Sequence, residues 1–256
     1  MNTAPQWNYV QARLQARHGE RPSEVDWRTL ETVKSLDHFI ERSRATALRR
    51  FTGAISAAMS SHAIERLLRA AWRDYVAEVA SWVEADWQPG LIWVAHVADL
   101  PALDALLRGS VPAWVGQEPA LADYVGDDIA QRVAALEKSP LAALAPGANR
   151  AGTLAGRWSA HWRSLWPRGT QAGALDELAA AVQSHVEQMQ RAAARETSAP
   201  YRRALAQKLT RLFRRHSAAP IAAFAHLALV ALDLERLRGN LVRRRLFPAM
   251  SAKEAA

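Results

Sequence analysis

The sequence contains no cysteine, which excludes disulfides, thiolate metal sites and cysteine nucleophiles. Glycine and proline are also scarce, with twelve residues of each in a chain of 256. A β-rich protein needs many tight turns made from these two residues, and no stretch of β-branched residues alternates with polar ones. Half of the residues are apolar and ten are tryptophan, which is enough to form a folded core. We therefore expect an all-α fold.

Also absent is an uninterrupted apolar run of the about 20 residues that a membrane-spanning helix needs. The longest apolar run, from Pro220 to Leu232, is shorter and includes His226, so it predicts a buried core helix. The first 21 residues contain polar side chains throughout and lack the apolar segment of a secretory signal. These features predict a cytoplasmic protein without a membrane span.

The net charge of +8 is spread unevenly along the chain. Residues 1–145 carry a net charge of −3, whereas residues 146–256 carry +11. One interpretation is that the basic half is simply a solvated face. The other is that it faces a polyanion, an acidic protein or an anionic membrane surface.

Apolar residues recur at helical spacing along most of the chain, most clearly from Ser61 to about Val83. Ser23 opens a segment like a capping box, which predicts one helix extending to about Arg42. Asp99 is expected to cap a further helix. In the C-terminal half, one helix is predicted to carry an apolar stripe made of Leu175, Leu178, Val182, Val186 and Met189.

An irregular stretch, residues 140–152, coincides with the change in charge. We therefore expect a multi-helix bundle in two similar lobes. Three lobes are the less favoured interpretation. The N-terminal lobe, residues 1–140, is mildly acidic, and the C-terminal lobe, residues 141–256, is strongly basic. The alternative is that both form one continuous domain.

No constellation of residues typical of catalysis is present. The histidines are scattered and match neither the zinc helix nor the di-iron helix pattern. Gly147 to Thr153 has the glycine spacing of a phosphate-binding loop, but it lacks the lysine and no strand precedes it. His161 and His226 are interpreted as packed imidazoles. We predict no catalytic residue, no cofactor-binding residue, no metal ligand and no small-molecule substrate.

Trp158, Trp162 and Trp166 are spaced four residues apart, on one face of a helix. With the nearby Arg157 and Arg163, and with Arg168, they allow a stacking platform for single-stranded nucleic acid. Packing in a core is the favoured interpretation, because tryptophan buries a large area.

Two groups of basic residues follow, and either can contact phosphates, lipid head groups or acidic side chains. No helix-turn-helix or other named nucleic-acid module accompanies them. The first group is Arg202, Arg203, Lys208, Arg211, Arg214 and Arg215, and the second is Arg236, Arg238, Arg243, Arg244 and Arg245.

Both ends of the chain resemble one protein family. The segment from Tyr9 to Ala16 includes Ala12 and Arg13, and it resembles the opening helix of the central-stalk subunit of V-type rotary ATPases, called C in archaeal-type and d in eukaryotic enzymes. The segment from Leu232 to Gly239 resembles the final helix of that family, with Glu235 and Arg238 at the matching acidic and basic positions. Family members are usually longer, with three lobes.

The resemblance implies a non-catalytic helical adaptor on the cytoplasmic face of the membrane rotor ring, where it receives the central shaft. Its partners would be shaft subunits and the ring, in ATP-driven proton or sodium transport. Arg236, Arg243, Arg244 and Arg245 are the candidate docking residues, since arginine pairs well with carboxylates. The alternative function is that of a basic helical nucleic-acid-binding or scaffold protein.

Overall fold

The computed structural model describes residues 4–147, 152–169, 172–191 and 199–247. The fold is 75% helical, and the described residues contain no strand, which confirms the prediction of an all-α multi-helix bundle. The α-helices are, in chain order, α1 (Ala4–Glu20), α2 (Glu24–Thr32), α3 (Leu36–Arg44), α4 (Arg49–Thr52), α5 (Ser61–Ala80), α6 (Gln88–Trp93), α7 (Leu100–Leu107), α8 (Ile129–Glu137), α9 (Leu154–Ser164), α10 (Gly173–Arg191), α11 (Ala199–Arg215) and α12 (Pro220–Leu246). Short 3-10 helices lie at Ala85–Trp87, Val94–Asp99, Val115–Gln117, Ala122–Tyr124 and Ala142–Leu144.

The chain divides into two compact units, and the division differs from the consecutive lobes expected at 1–140 and 141–256. Unit 1 combines Met1–Glu84 with Gly169–Ala256, and unit 2 is Ala85–Arg168. The reason is that α12 packs against α1, α3 and α5, so the two ends of the chain share one core. The irregular stretch with the charge change lies within unit 2.

Local capping explains where several helices begin. The Ser23 side chain accepts a hydrogen bond from the Asp26 amide and Asp26 accepts from the Ser23 amide, which confirms the capping box. The predicted single helix to Arg42 is wrong, because the chain turns extended at Val33 and Ser35 caps a second helix, α3. Ser35 does so by accepting a hydrogen bond from the His38 amide.

The core of unit 1 is built around α12. The first four turns of this helix are almost wholly buried, as expected from the apolar run beginning at Pro220. Phe39, Phe213 and Ile64, from α3, α11 and α5, are fully buried in the same unit. Burying side chains of this size contributes roughly 1.5–3 kcal/mol each to stability.

Unit 2 has its own core, which includes the fully buried Leu91, Leu103 and Leu136. The prediction that Asp99 caps a helix is wrong, because it lies in helical backbone between a 3-10 turn and α7 and makes no capping bond. Its side chain is instead buried, with a carboxylate oxygen 3.6 Å from Nδ1 of His96.

The helical run Ala85–Leu107 in unit 2 is, by length and composition, long and apolar enough to cross a membrane. The sequence expectation considered only uninterrupted apolar runs, and this run contains Asp86, Asp99 and Asp104. Core helices of soluble proteins pass the same test, so the run by itself does not establish a membrane span.

Candidate functional site

The structure separates the four arginines of α12 that were predicted to dock on a partner. Arg236 lies on α12 where it meets α2. Its Nε donates to Glu31 at 2.7 Å and its Nη1 to Glu24 at 2.9 Å, while the guanidinium lies 4.8 Å from the ring centre of Trp27. Burial alone would lower the pKa of Arg236, but the hydrogen bonds that it donates to Glu31 and Glu24 outweigh this effect and raise the pKa. Arg236 therefore clamps α12 to α2.

Arg244 is buried and cannot dock on a partner, because the residue is only 4% exposed. It donates to the carbonyl oxygen of Val33 from Nε at 2.9 Å and from Nη2 at 2.7 Å, and also to the Glu31 carbonyl and to Asn240. It lies 4.2 Å from the ring centre of Phe39. Burial, with the nearby Arg243, lowers its pKa to about 10. Arg244 satisfies the C-terminal carbonyls of α2, an internal role that sequence reasoning missed.

Arg243 and Arg245 remain on the surface at the end of α12. Arg245 donates from Nε to the Met59 carbonyl at 2.8 Å. Arg243 has no ion pair within the part of the chain that the structure describes. Of the four predicted docking residues, these two alone are exposed.

The positions that carry the family resemblance lie together in unit 1. In α1, Arg13 donates to the hydroxyl of the exposed Tyr9 at 3.0 Å and lies 4.4 Å from the ring centre of Trp82. Ala12 is exposed beside them.

In α12, Glu235 accepts from Arg202 of α11 at 3.4 Å, and Arg238 donates to Glu65 of α5 at 2.7 Å. Both of these residues tie α12 to a neighbouring helix. The matching residues at the two chain ends therefore belong to one packed unit.

His226, in the first half of α12, is surrounded by other polar and aromatic side chains. His226 is fully buried, and its Nε2 is 2.7 Å from the hydroxyl of Tyr75. His18 stacks on Phe213 with ring centres 4.5 Å apart. Burial lowers the pKa of His226 to about 3 and that of His18 to about 4, and it raises the pKa of Tyr75 to about 12. All three side chains are therefore neutral near pH 7.

Charged residues close the outer side of this group. Arg21 donates to Asp233 at 2.7 Å, and burial raises the pKa of Asp233 although Arg21 opposes the shift. Arg17 and Arg50 both pair with Glu78. A pocket of about 40 Å³ opens among these residues, a space that suits water rather than a substrate.

The described residues contain no group of three or more metal-ligating side chains. Gly147, Gly152 and Thr153 of the glycine-spaced segment are described, and Thr153 caps α9 by accepting from the Gly156 amide at 3.1 Å. Residues 148–151 of that segment lie outside the described residues.

The three tryptophans pack within unit 2, Trp158 and Trp162 on α9 and Trp166 just beyond its end, so the prediction that all three lie on one helix is wrong. Trp158 and Trp162 stack with ring centres 5.9 Å apart, and Trp166 meets Trp162 edge-on at 4.9 Å. Trp162 is 4% exposed, and the carbonyl of Trp158 accepts from the indole of Trp93 at 3.2 Å. A base cannot insert between rings that already contact one another, so the arrangement favours packing.

The helix α11 carries the largest set of arginines left for a partner. Its Leu205, Leu209, Leu212 and Phe213 are buried, and Arg203, Arg211 and Arg214 are exposed on the opposite face. These three arginines, which we call the α11 stripe, have no ion pair within the described residues. Each flank of the stripe carries an ion pair, Arg215–Glu177 towards α10 and Arg202–Glu235 towards α12.

The second half of α10 also departs from expectation. Leu175 and Leu178 of the predicted apolar stripe are buried, whereas Val182 and Val186 are 38% and 39% exposed. The side chain of Met189 lies outside the described residues.

Comparisons with known proteins found no match for this chain. No family model, no curated protein and no solved structure matches the chain.

Proposed function

We propose that the chain is a non-catalytic adaptor that resembles the central-stalk subunit of V-type rotary ATPases and couples the rotor shaft to the membrane ring. It would lie on the cytoplasmic face of that complex, in proton or sodium transport. The proposal starts from the resemblance at Tyr9–Ala16 and Leu232–Gly239.

One observation carries the proposal, which is that α12 is fixed to several neighbours by charged hydrogen bonds along its length. Arg21 pairs with Asp233, Arg236 with Glu24 and Glu31, and Arg238 with Glu65. Links of this kind, added to an apolar core, hold the helices in one register. An adaptor that transmits torque needs such a stiff body.

Co-purification tests the proposal directly. The full-length chain, tagged and expressed in its own cells, is isolated from membranes in mild detergent, and the bound proteins are identified by mass spectrometry. Shaft and ring subunits of a rotary ATPase are expected in the eluate. Their absence, with other proteins enriched instead, would refute the adaptor function.

Catalysis is tested separately with the purified chain. We expect no ATP hydrolysis above a mock preparation. Turnover that survives further purification and disappears on a single substitution in this chain would contradict the non-catalytic part of the proposal.

Nucleic-acid binding is the second candidate, and the α11 stripe is the observation that favours it. Exposed arginines without internal partners suit phosphate contacts. The test is a titration of duplex and single-stranded oligonucleotides at increasing salt. Tight binding that is lost when the arginines of the stripe are substituted, together with no rotary subunits in the eluate, would support nucleic-acid binding in place of the adaptor function.

A further inference from the structure

The arginines of α11 are spaced as one line along the helix. Arg203, Arg211 and Arg214 stand at positions i, i+8 and i+11, with the exposed Gln207 at i+4 between them. Steps of three and four residues keep side chains on one helical face. The line is about 16 Å long at the 1.5 Å rise of an α-helix.

An ion pair lies on each side of the stripe. On the α10 side, Glu177 neutralises Arg215, and on the α12 side Glu235 neutralises Arg202. The two carboxylates are half-exposed, with 39% and 45% of their side-chain surface accessible. A partner lying on the stripe therefore meets positive charge along its middle and carboxylates at both edges.

This pattern distinguishes between classes of partner. A bilayer surface or a nucleic-acid duplex presents phosphates over a width greater than one helix, and it would press them against Glu177 and Glu235. A single α-helix is about 10–12 Å wide and can lie along the stripe alone. Its own carboxylates, repeated every three or four residues, advance with the same rise as the arginines.

The presence of arginine at all three positions also favours an acidic helix as the partner. All three side chains of the stripe are arginine, whose planar guanidinium pairs with carboxylates through two parallel hydrogen bonds. The protein already uses this pairing internally, since Arg236 of α12 holds Glu24 and Glu31 of α2.

We propose that the α11 stripe is a docking surface for an acidic α-helix of a partner protein. The helix carries glutamate or aspartate at i, i+4, i+7 and i+11 on the face that meets Arg203, Arg211 and Arg214. This inference rests on the adaptor function proposed above and adds to it the surface used and the chemistry of the partner.

The test measures binding of a designed helical peptide to the full-length chain. The peptide has about 20 residues, long enough to form a stable helix, and carries glutamate at the four stated positions. A second peptide has the same composition with the glutamates distributed around the helix. Anionic vesicles and a DNA duplex are the comparison ligands, all at about 0.15 M salt.

Two variants with equal loss of charge separate the stripe from net charge. The stripe variant is Arg203→Gln, Arg211→Gln and Arg214→Gln. The control variant is Arg42→Gln, Arg49→Gln and Arg66→Gln, three exposed arginines of unit 1 without ion pairs among the described residues. Circular dichroism and thermal melts confirm that both variants fold.

We expect the ordered peptide to bind wild type more tightly than the distributed one, and to lose roughly tenfold or more with the stripe variant but less than about twofold with the control. Charge reversal of the three arginines to glutamate should transfer binding to a peptide with lysine at the same positions. Equal losses in both variants, or no preference between the two peptides, would overturn the proposal. So would stripe-dependent binding of vesicles or duplex that exceeds binding of the peptide.

The outcome is distinguishable from that of the adaptor test. If rotary subunits co-purify with wild type and with the stripe variant alike, and the peptide is not bound, the adaptor function stands and the stripe proposal fails. If the peptide binds through the stripe but no rotary subunits co-purify, the docking surface stands and its assignment to a rotary ATPase fails.

Discussion

The helices α11 and α12 are both rich in arginine, yet they use that residue in opposite ways. In α12, Arg236 and Arg244 turn inward and are satisfied by α2, whereas Arg203 and Arg211 of α11 face solvent. The difference follows from surroundings, because α12 has neighbours on nearly all sides and α11 has an open face. A count of arginines therefore identifies neither a docking surface nor a structural clamp.

The largest expected effect concerns Arg244. Arg244→Ala removes the donors from the Val33 and Glu31 carbonyls and leaves these part-buried acceptors unpaired. At about 1–3 kcal/mol for each such group, we expect a loss of about 3 kcal/mol or more in the free energy of unfolding. Urea denaturation measures it, and the neighbouring, exposed Arg243→Ala is the control, with a change of about 0.5 kcal/mol or less. Similar values for the two variants would remove the contrast between inward and outward arginines.

Arg236 should have a smaller effect, because its side chain is partly exposed. We expect Arg236→Ala to lower the free energy of unfolding by about 2 kcal/mol, since hydrogen bonds to charged groups contribute about 1.5–3 kcal/mol. A double-mutant cycle with Glu31→Gln isolates the pair. A coupling free energy near zero would show that Arg236 acts through Glu24 and packing on Trp27, not through Glu31.

The buried His226 of α12 makes the free energy of unfolding depend on pH. Its pKa is about 3 in the folded protein against 6.5 ordinarily, so the unfolded chain binds more protons between these values. Stability is therefore full above pH 6.5 and falls as the pH drops towards 3, with a slope approaching 1.4 kcal/mol per pH unit for this one group. Urea midpoints across that range measure the slope.

Two variants identify the residue responsible for the slope. His226→Gln should reduce the slope but leave the part contributed by His18, whose pKa is lowered to about 4, and the variant will be less stable overall because the bond to Tyr75 changes. The exposed His38→Gln should leave the slope as in wild type. A slope unchanged in His226→Gln would assign the pH dependence elsewhere.

The smallest effect on stability is expected for α11. Arg211→Ala removes an exposed side chain without an internal partner, so the free energy of unfolding should change by about 0.5 kcal/mol or less. A thermal melt checks this value. A loss above about 1 kcal/mol would mean that Arg211 stabilises the fold, as Arg236 and Arg244 of α12 do.

Local signals in the sequence predicted one helix start. The cap at Ser23 depends only on a residue three positions away, and it is present. The buried first half of α12 was also predictable, because its apolar residues are continuous.

Long-range features were not predictable from the sequence. The burial of Arg244 depends on its alignment with Val33, 211 residues earlier in the chain, and no local pattern encodes that register. The grouping of the two chain ends into unit 1 was missed for the same reason. Exposure of Val182 and Val186 was missed because periodicity identifies an apolar face but not whether a neighbour covers it.

Unit 1 is built from both ends of the chain, which has a consequence for biosynthesis. The ribosome releases α1 to α5 first, while α12, which packs against α1, α3 and α5, is made after them. The contact between Arg21 and Asp233 joins residues 212 positions apart, so it can form only after Asp233 has emerged. Until then the faces of α1, α3 and α5 that pack on α12 lack that cover, and such exposed surfaces are the ones that chaperones hold. Ribosome stalling or truncation before α12 should therefore yield an aggregating chain, not a smaller working protein.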